Sequence, residues 1–381
     1  AQVETDTSST DIDPGFGVDP GLPEVDPDFG VTTLPGAGVD PGFGVTPDNK
    51  EVAEKEVAET ALEITTAGQQ PLTNVDGVPW TSITITGNID DSSSKGQTTV
   101  QFNNGSIDPP IINNAIIKSS WGSTEGQSGD FGGAIKLVSI EGTFINNGSL
   151  IYSGGGAKSA AFLVTTDSAD KTSAPPSIIL LENKGLIEAS SGGKAIRVTK
   201  AYPLHNSKFK LANFGTIHGD IDISFDTNSA ILNIYDGSNL KSGTVNSNVT
   251  LSEREINFID YGKKQTKFSS NITGSWNVFV GEGADVLLSG RNTYIGETLI
   301  EGGTLSIANA KALSDFTDIT IKKGKKGKGM LDLNGNTINT NTITLNSGEI
   351  TGTALDISNG SARIKNGSVD GTITSLGGVL E

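Results

Sequence analysis

The sequence has no cysteine, one methionine, two histidines and three tryptophans in 381 residues. Without cysteine the chain forms neither disulfides nor thiolate zinc sites. Export remains open, because a stacked extended core does not need the disulfides that small secreted domains need. No run of 18 or more apolar residues occurs, so no segment is expected to span a bilayer as a helix.

The acidic excess is concentrated at the N-terminus. The formal net charge is −17, and residues 1–66 hold 15 Asp and Glu against Lys50 and Lys55, a net −13. Residues 67–381 therefore carry only −4. Neither part favours nucleic acid as a partner. The chain starts at Ala1, which fits a mature exported protein whose signal peptide has been removed.

Residues 11–48 form an imperfect repeat in which Asp-Pro leads three times into Phe-Gly-Val. Pro fixes φ and removes a donor, while Gly and like charge oppose collapse. We therefore expect a disordered acidic arm over residues 1–50. Calcium binding by the Asp residues is an alternative, although the spacing of an EF-hand is absent. The Asp-Pro pairs begin at Asp13, Asp19, Asp26 and Asp40.

Residues 51–66 have the pattern of an amphipathic helix. Ala53, Val57, Ala61 and Ile64 recur at helical spacing with Glu and Lys between them. So short a helix is marginal alone, so we expect it to cap the end of the domain that follows.

Residues 67–381 have the pattern of short strands separated by Asn, Gly and Ser turns. A turn motif recurs at intervals near 22 residues or near twice 22, as a coil of three short strands requires. We expect each Asn-x-Gly to turn a corner at positive φ, and the apolar residue two positions after the Gly to point inward. The motif occurs as "NNGSI" (103–107), "NNGSL" (146–150), "NKGLI" (183–187), "NFGTI" (213–217) and "KNGSV" (365–369).

The predicted fold is all-β, a right-handed parallel β-helix in which each coil buries its apolar residues against its neighbours. A β-sandwich or barrel is the alternative, but it does not call for one corner motif repeated along most of the chain.

Residues 273–313, "TGSWNVFVGEGADVLLSGRNTYIGETLIEGGTLSIANAKAL", carry an ordered set of turns and strands. The order is Gly281-x-Gly283, Ser289-Gly290, Asn292-Thr293-Tyr294, Gly296, Gly302-Gly303-Thr304-Leu305 and Asn309-Ala310. This segment resembles the passenger-associated strand repeat of bacterial autotransporters. The resemblance implies a β-helical passenger exported through a C-terminal membrane barrel, which is not found after Gly352. It also implies a location at the outer membrane surface or outside the cell.

Residues suited to catalysis are few. His205, His218 and Ser128 do not lie in a recognisable nucleophile motif, and Ser128 is better explained as part of a Gly-rich turn. The closest paired acids are Asp90 with Asp91 and Asp220 with Asp222; we expect the second pair to occupy the outer side of a strand. We predict no catalytic site, no metal and no cofactor.

The strongest basic feature is the segment "IKKGKKGKGM" (321–330), a candidate flexible loop for polyanions such as sulfated glycans. A solvated loop explains the same residues. Tyr152, Trp121 and Trp276 are candidates for stacking on sugars, although Trp among strands is more often core. The candidate polyanion residues are Lys322, Lys323, Lys325, Lys326 and Lys328.

We therefore expect a non-enzymatic passenger that acts in adhesion or self-association. Its partner is expected to be a host-cell surface protein, a glycan or a second copy of itself. A stalk without its own ligand, a secreted toxin of vacuolating type and a glycan-cleaving β-helix enzyme are the alternatives.

Overall fold

The computed structural model describes residues 61–70, 80–91, 99–120, 132–154, 159–165, 178–190, 193–199, 208–223, 229–241, 243–247, 254–262, 264–352, 354–356, 361–365, 367–370, 372–374 and 379–380. The predicted acidic arm, and the part of the predicted helix before residue 61, lie outside these residues.

The described residues form β-strands and contain no helix. In chain order the strands are β1 (Ala61–Ile64), β2 (Gly68–Gln70), β3 (Ser82–Ile85), β4 (Ile89–Asp91), β5 (Val100–Asn113), β6 (Ile116–Ser119), β7 (Gly133–Asn146), β8 (Ser149–Tyr152), β9 (Ala160–Thr165), β10 (Ile178–Asn183), β11 (Leu186–Ala189), β12 (Lys194–Val198), β13 (Lys208–Asn213), β14 (Thr216–His218), β15 (Asp220–Ile223), β16 (Ser229–Tyr235), β17 (Asn239–Lys241), β18 (Thr244–Ser247), β19 (Arg254–Ile259), β20 (Thr266–Phe268), β21 (Asn271–Gly274), β22 (Asn277–Val280), β23 (Asp285–Leu288), β24 (Thr293–Tyr294), β25 (Thr298–Glu301), β26 (Thr304–Ile307), β27 (Asp318–Lys322), β28 (Met330–Asp332), β29 (Thr337–Asn339), β30 (Thr342–Asn346), β31 (Glu349–Thr351), β32 (Ala354–Asp356), β33 (Ser361–Lys365), β34 (Ser368–Val369), β35 (Thr372–Thr374) and β36 (Val379–Leu380).

These strands build a parallel β-helix whose coils have three faces. For example, β10, β11 and β12 make one coil with one strand on each face, and each pairs in parallel with β13, β14 or β15 of the next coil. Face A contains β1, β3, the C-terminal parts of β5 and β7, β10, β13, β16, β19, β22, β25, β27, β30, β33 and β36. Face B is the twelve-stranded sheet that contains β4, β6, β8, β11, β14, β17, β20, β23, β26, β28, β31 and β34. Face C contains β2, the N-terminal parts of β5 and β7, β9, β12, β15, β18, β21 and β24, and β29, β32 and β35 take this place in the last coils.

The core is a set of inward rows, each built from one residue per coil. Alternate residues of a strand point to opposite sides, so an in-register stack places equivalent side chains on one another. Burial of each Leu, Ile, Val or Phe in such a row contributes about 1.5–3 kcal/mol. One buried row on face A contains Ile83, Ile111, Phe144, Leu181, Leu211, Leu232, Ile256, Val278, Thr298, Ile319 and Ile343.

A second row of face A contains a buried asparagine ladder: Asn113, Asn146, Asn183 and Asn213. Each amide donates to the side-chain oxygen of the next, at 2.8, 2.8 and 2.7 Å. The ladder stabilises four successive coils through buried and mutually satisfied hydrogen bonds.

The glycines after these asparagines have a different role from the predicted one. The φ angles of Gly148, Gly185 and Gly215 are not in the positive range that the sequence pattern led us to expect. A Cβ on Gly185 would lie 1.9 Å from the carbonyl oxygen of Gly148. Glycine is therefore required because successive coils approach closely at this corner. The residues two positions later, Leu150, Ile187 and Ile217, are buried as predicted.

Two further predictions are corrected. "NNGSI" (103–107) is not a corner, because it lies within β5, and "NNAI" (113–116) is the segment that pairs with residues 146–149. The longer intervals of 37 and 30 residues are single coils with insertions, since Asn146, Asn183 and Asn213 are direct register partners.

The predicted helix over 51–66 is wrong at its C-terminal end. Residues Ala61–Ile64 form β1, which pairs in parallel with β3. Leu62 and Ile64 also alternate with period two, and Ile64 is buried against the next coil. Packing and backbone pairing at the end of the solenoid outweigh the helical propensity of this segment.

The all-β parallel solenoid is the fold predicted from the sequence. Ile300 and Leu305, within the segment that resembles the passenger-associated repeat, are fully buried. The handedness of the coil stays a prediction.

Candidate functional site

The lysine segment is an ordered hairpin at the corner between faces A and B, which we call the AB corner. Lys323 and Lys328 form an antiparallel bridge, and Gly324 N–H donates to the Gly327 carbonyl at 2.8 Å. The hairpin replaces the tight turns that join β10 to β11 and β13 to β14 at the same corner. The flexible loop expected from its Lys and Gly content is therefore a closed turn.

One carboxylate fastens this hairpin to the coils beneath it. Glu282 accepts hydrogen bonds from the backbone N–H groups of Lys325 and Lys326, the second at 2.6 Å. A Cβ on Gly324 would lie 2.1 Å from Glu282 Oε1, so a larger residue there would require the carboxylate to move. Backbone N–H groups that converge on an anion form a small nest, and here the anion belongs to the chain itself.

Three of the five candidate lysines also form ion pairs. Lys322 lies 3.2 Å from Glu301, and the other two pairs are longer. The other pairs are Lys326 with Asp260 and Lys328 with Glu349, both at 3.8 Å.

Four carboxylates therefore accompany five lysines at this site. The local charge is close to balanced, and Lys323 and Lys325 are the two candidates without a carboxylate partner among the described residues. Such pairs are partly exposed and contribute little stability each. The polyanion site stays a prediction, and the charge balance does not favour it.

A second feature of the AB corner was missed in the sequence: an outward cluster of Phe214, Tyr235 and Tyr261, which we call the aromatic cluster. Phe214 and Tyr235 stack with centroids 4.0 Å apart and planes at 14°. Tyr261 meets both rings edge-on, at 5.4 and 5.9 Å, and is 67% exposed. Contiguous exposed apolar surface of this kind is more informative about binding than a single exposed side chain.

The coils fix the positions of these three rings. Asn213 and Ile234 are register partners, so the residues that follow them, Phe214 and Tyr235, stack. The loop that carries Tyr261 is held by Asp236, which accepts from Gly262 N–H at 3.2 Å and Lys264 N–H at 2.7 Å. The three residues are 21 and 26 positions apart, so only the coil period could have indicated that they meet.

Charged groups surround the aromatic cluster in pairs. Glu182 lies 2.5 Å from Lys184, and Asp260, next to Tyr261, pairs with Lys326 of the hairpin. Burial raises the pKa of Tyr235; a hydrogen bond from Asn233 opposes this effect, while the negative charge of Glu182 adds to it. The aromatic cluster and the lysine hairpin are therefore neighbouring parts of one corner.

The paired acids of β15 have structural partners. Asp220 binds Lys194 at 2.7 Å and the Thr244 N–H at 2.7 Å. Asp222 lies 3.6 Å from Arg197, whose pKa is lowered by burial and raised again by that carboxylate. Ile221 between them is buried, as predicted. Both carboxylates belong to ion pairs between coils.

Other residues singled out in the sequence also have structural surroundings. Tyr152 and Trp276 are fully buried, so they are core residues rather than sugar-stacking ones. His218 lies 3.5 Å from Glu188 on face B, and Asp90 lies 3.5 Å from Lys118. Ser128, His205 and Trp121 lie outside the described residues, as does the side chain of Asp91.

A small recess of about 110 Å³ lies beside the Asp90–Lys118 pair. Ligand clefts commonly measure roughly 300–1,000 Å³, so this recess is small for an organic ligand. It is lined by Asn88, Ile89, Asp90, Ile116 and Lys118.

Tyr294 is a fully buried tyrosine whose pKa is shifted by its surroundings. Burial raises its pKa to about 12, and hydrogen bonds to Thr298 and Thr317 oppose this shift. Its hydroxyl lies 2.6 Å from Thr298 Oγ1, inside the solenoid. This tyrosine is a structural group.

Within the described residues, no cluster of three or more His, Asp or Glu could hold a metal ion. The same residues contain no helix long and apolar enough to cross a membrane.

No family model matches the chain, and neither the curated proteins nor the solved structures provide a match.

Proposed function

We propose that this chain is a non-enzymatic adhesion protein, exported to the cell surface or secreted, that binds through the outer side of its β-helix. The observation that carries the proposal is the AB corner, where the aromatic cluster and the lysine hairpin are held on stacked coils. A stacked scaffold repeats outward side chains at about 4.8 Å, which suits many weak contacts along one surface.

Two further observations support binding over catalysis. The acid pair Asp220 and Asp222 is engaged by Lys194 and Arg197 in neighbouring coils. The resemblance of residues 273–313 to an autotransporter passenger repeat, which stays a hypothesis, also agrees with surface display. A glycan-cleaving enzyme remains the second candidate only through the general likeness of its scaffold.

Self-association is the other form of adhesion that this surface supports. Both signs of charge alternate at the AB corner, so two copies could pair with opposite charges facing each other. Sedimentation velocity across protein concentration, at low and moderate salt, separates this form from adhesion to other molecules.

Beads coated with the full chain provide the direct test. We expect them to bind cultured epithelial cells, or to cluster with one another, more than beads coated with the heat-unfolded chain. Neither binding nor clustering above this control would contradict the proposed function. Release of reducing ends from polysaccharides, with an optimum in pH, would instead identify an enzyme.

A further inference from the structure

We propose that the aromatic cluster is a stacking platform for the pyranose rings of an uncharged glycan. This inference rests on the proposed function and names a ligand class for the AB corner. It concerns Phe214, Tyr235 and Tyr261 and the polar groups around them.

The geometry of the three rings suits stacking on a sugar. An aromatic face carries partial negative charge, and the C–H groups on one side of a pyranose carry partial positive charge. Tyr261 is 67% exposed and stands edge-on to the stacked pair of Phe214 and Tyr235. This arrangement presents a ring surface and a phenolic hydroxyl together to a ligand.

The three rings are preorganised by the coils and by Asp236. Phe214 and Tyr235 follow register partners in adjacent coils, and Asp236 holds the Tyr261 loop through two backbone N–H groups. A platform whose rings are already fixed loses little conformational entropy when a ligand binds. A loose aromatic loop would not have this advantage.

The charged groups around the rings are of both signs. Glu182 is paired with Lys184, and Asp260 with Lys326, so the border of the cluster carries both signs. Carboxylates accept and ammonium groups donate hydrogen bonds, as hydroxyl groups of sugars require. A sulfated or carboxylated chain would meet Glu182, Asp236 and Asp260 without a net positive field. The ligand that fits is therefore rich in hydroxyl groups and uncharged.

The shape of the site also favours an oligosaccharide over a single sugar. The aromatic cluster lies on an outer corner, where a single sugar would bury little of its surface. Several rings along neighbouring coils would share the contact, because weak contacts that are linked act together.

The experiment uses the full chain on a printed panel of neutral oligosaccharides, with heparin and other sulfated glycans alongside. We expect retention on at least one neutral glycan. Tyr261→Ala should weaken that binding about tenfold, since truncating an aromatic anchor removes a main contact. Tyr261→Phe keeps the ring, so its affinity for the glycan should stay within about threefold of that of the parent chain. This is the range expected for the loss of one exposed hydrogen bond.

Phe316→Ala is the matched control, because Phe316 is 64% exposed and lies at the turn before β27. Its binding should equal that of the parent chain. Circular dichroism melts of all variants show whether each one is folded.

Three results would overturn the inference. They are no retention on any neutral glycan, parental binding by Tyr261→Ala, and binding confined to sulfated glycans that Lys323→Ala and Lys325→Ala abolish. The bead assay distinguishes failure of the glycan platform from failure of the proposed adhesion function. If beads coated with the parent chain bind cells while the glycan panel gives one of these three results, the platform is excluded and the adhesion function stands.

Discussion

At the scale of single residues, the asparagine ladder shows how a polar side chain stabilises the interior. Asn183 accepts from Asn146 and donates to Asn213, and it also donates to the Thr216 carbonyl at 3.4 Å. Every polar atom of the ladder that lies between two coils has a partner. Because unpaired buried amides are costly, the ladder also opposes any slip of one coil relative to the next.

Asn183→Ala should therefore destabilise the chain by about 2–4 kcal/mol, because it removes the ladder partners of one Asn146 N–H and of Asn213 Oδ1, both of which are buried. Asn147→Ala is the control, since Asn147 is exposed and bonds Asn114 at 2.9 Å on the outside of the same coils. We expect a change below about 0.5 kcal/mol for this control. If urea unfolding gives the same loss of unfolding free energy for the two variants, the stabilising role of the ladder would be contradicted.

Tyr294 makes stability depend on alkaline pH. Its pKa is about 12 in the folded chain, above the ordinary value of 10.0, so the folded state holds the phenolic proton more tightly. The resulting stabilisation is fully present below pH 10 and is lost as the pH rises from about 10 to about 12. Its upper size is about 2–3 kcal/mol, from two pH units at about 1.4 kcal/mol each.

Urea unfolding at pH 9 and pH 11 tests this prediction. The parent chain should lose more stability between the two values than Tyr294→Phe, whose side chain does not ionise. Identical losses in the two proteins would show that Tyr294 does not titrate in this way.

The sequence allowed part of the residue-level account. Leu150, Ile187 and Ile217 were assigned to the interior, because an apolar residue follows each Asn-x-Gly at a fixed offset. The role of Gly185 was not accessible, because close approach between coils depends on register rather than on local sequence. Ladder formation by Asn183 is missed for the same reason.

At the scale of elements, the turns of the AB corner decide how closely the coils stack. Gly185→Ala would place a Cβ 1.9 Å from the Gly148 carbonyl oxygen. We expect a loss of about 3 kcal/mol or more, at the upper end of overpacking effects, or failure to fold. Thermal unfolding followed by circular dichroism measures the change.

Gly327→Ala is the matched control within the same corner. Nothing lies within 4 Å of a Cβ at Gly327. The free energy of unfolding of Gly327→Ala should therefore stay within about 0.5 kcal/mol of that of the parent chain. If Gly185→Ala and Gly327→Ala have the same melting temperature, the close contact between Gly185 and the Gly148 carbonyl oxygen would be contradicted.

The lysine hairpin is an element held mainly by one side chain, Glu282. Glu282→Ala removes the acceptor of the Lys325 and Lys326 N–H groups, and hydrogen exchange of these amides should become at least about tenfold faster. Glu349→Ala is the control, because the Glu349 carboxylate lies 3.8 Å from the Lys328 side chain and the substitution leaves the Glu349 backbone bonds in place. Unchanged exchange in Glu282→Ala would show that other contacts hold the hairpin.

Prediction at this scale failed where local and long-range signals disagree. Residues 61–64 continue a helical pattern, yet their position beside β3 gives them strand partners. Likewise, "NNGSI" at 103–107 has the composition of a turn but lies within β5. The aromatic cluster needs the register of three coils, which no single segment contains.

At the scale of the whole β-helix, one rule accounts for the core and the outer surface. On face A, from β3 to β30, each coil adds one residue to each inward and outward row, although the coils differ in length. The repeat was visible in the sequence because turns recur near every 22 residues, whereas the insertions hid the exact register. The outer row that contains Thr84, Ala212 and Thr344 is a direct consequence of this stacking.

Distances along that outer row test the account most directly. The chain has no cysteine, so spin labels can be placed as pairs at Thr84→Cys with Thr344→Cys and at Ala212→Cys with Thr344→Cys. The register separates these pairs by ten and six coil steps. Pulsed electron paramagnetic resonance should give about 48 Å and about 29 Å, from about 4.8 Å per coil. Distances that do not scale with coil steps, such as a first pair closer than the second, would contradict the in-register parallel β-helix.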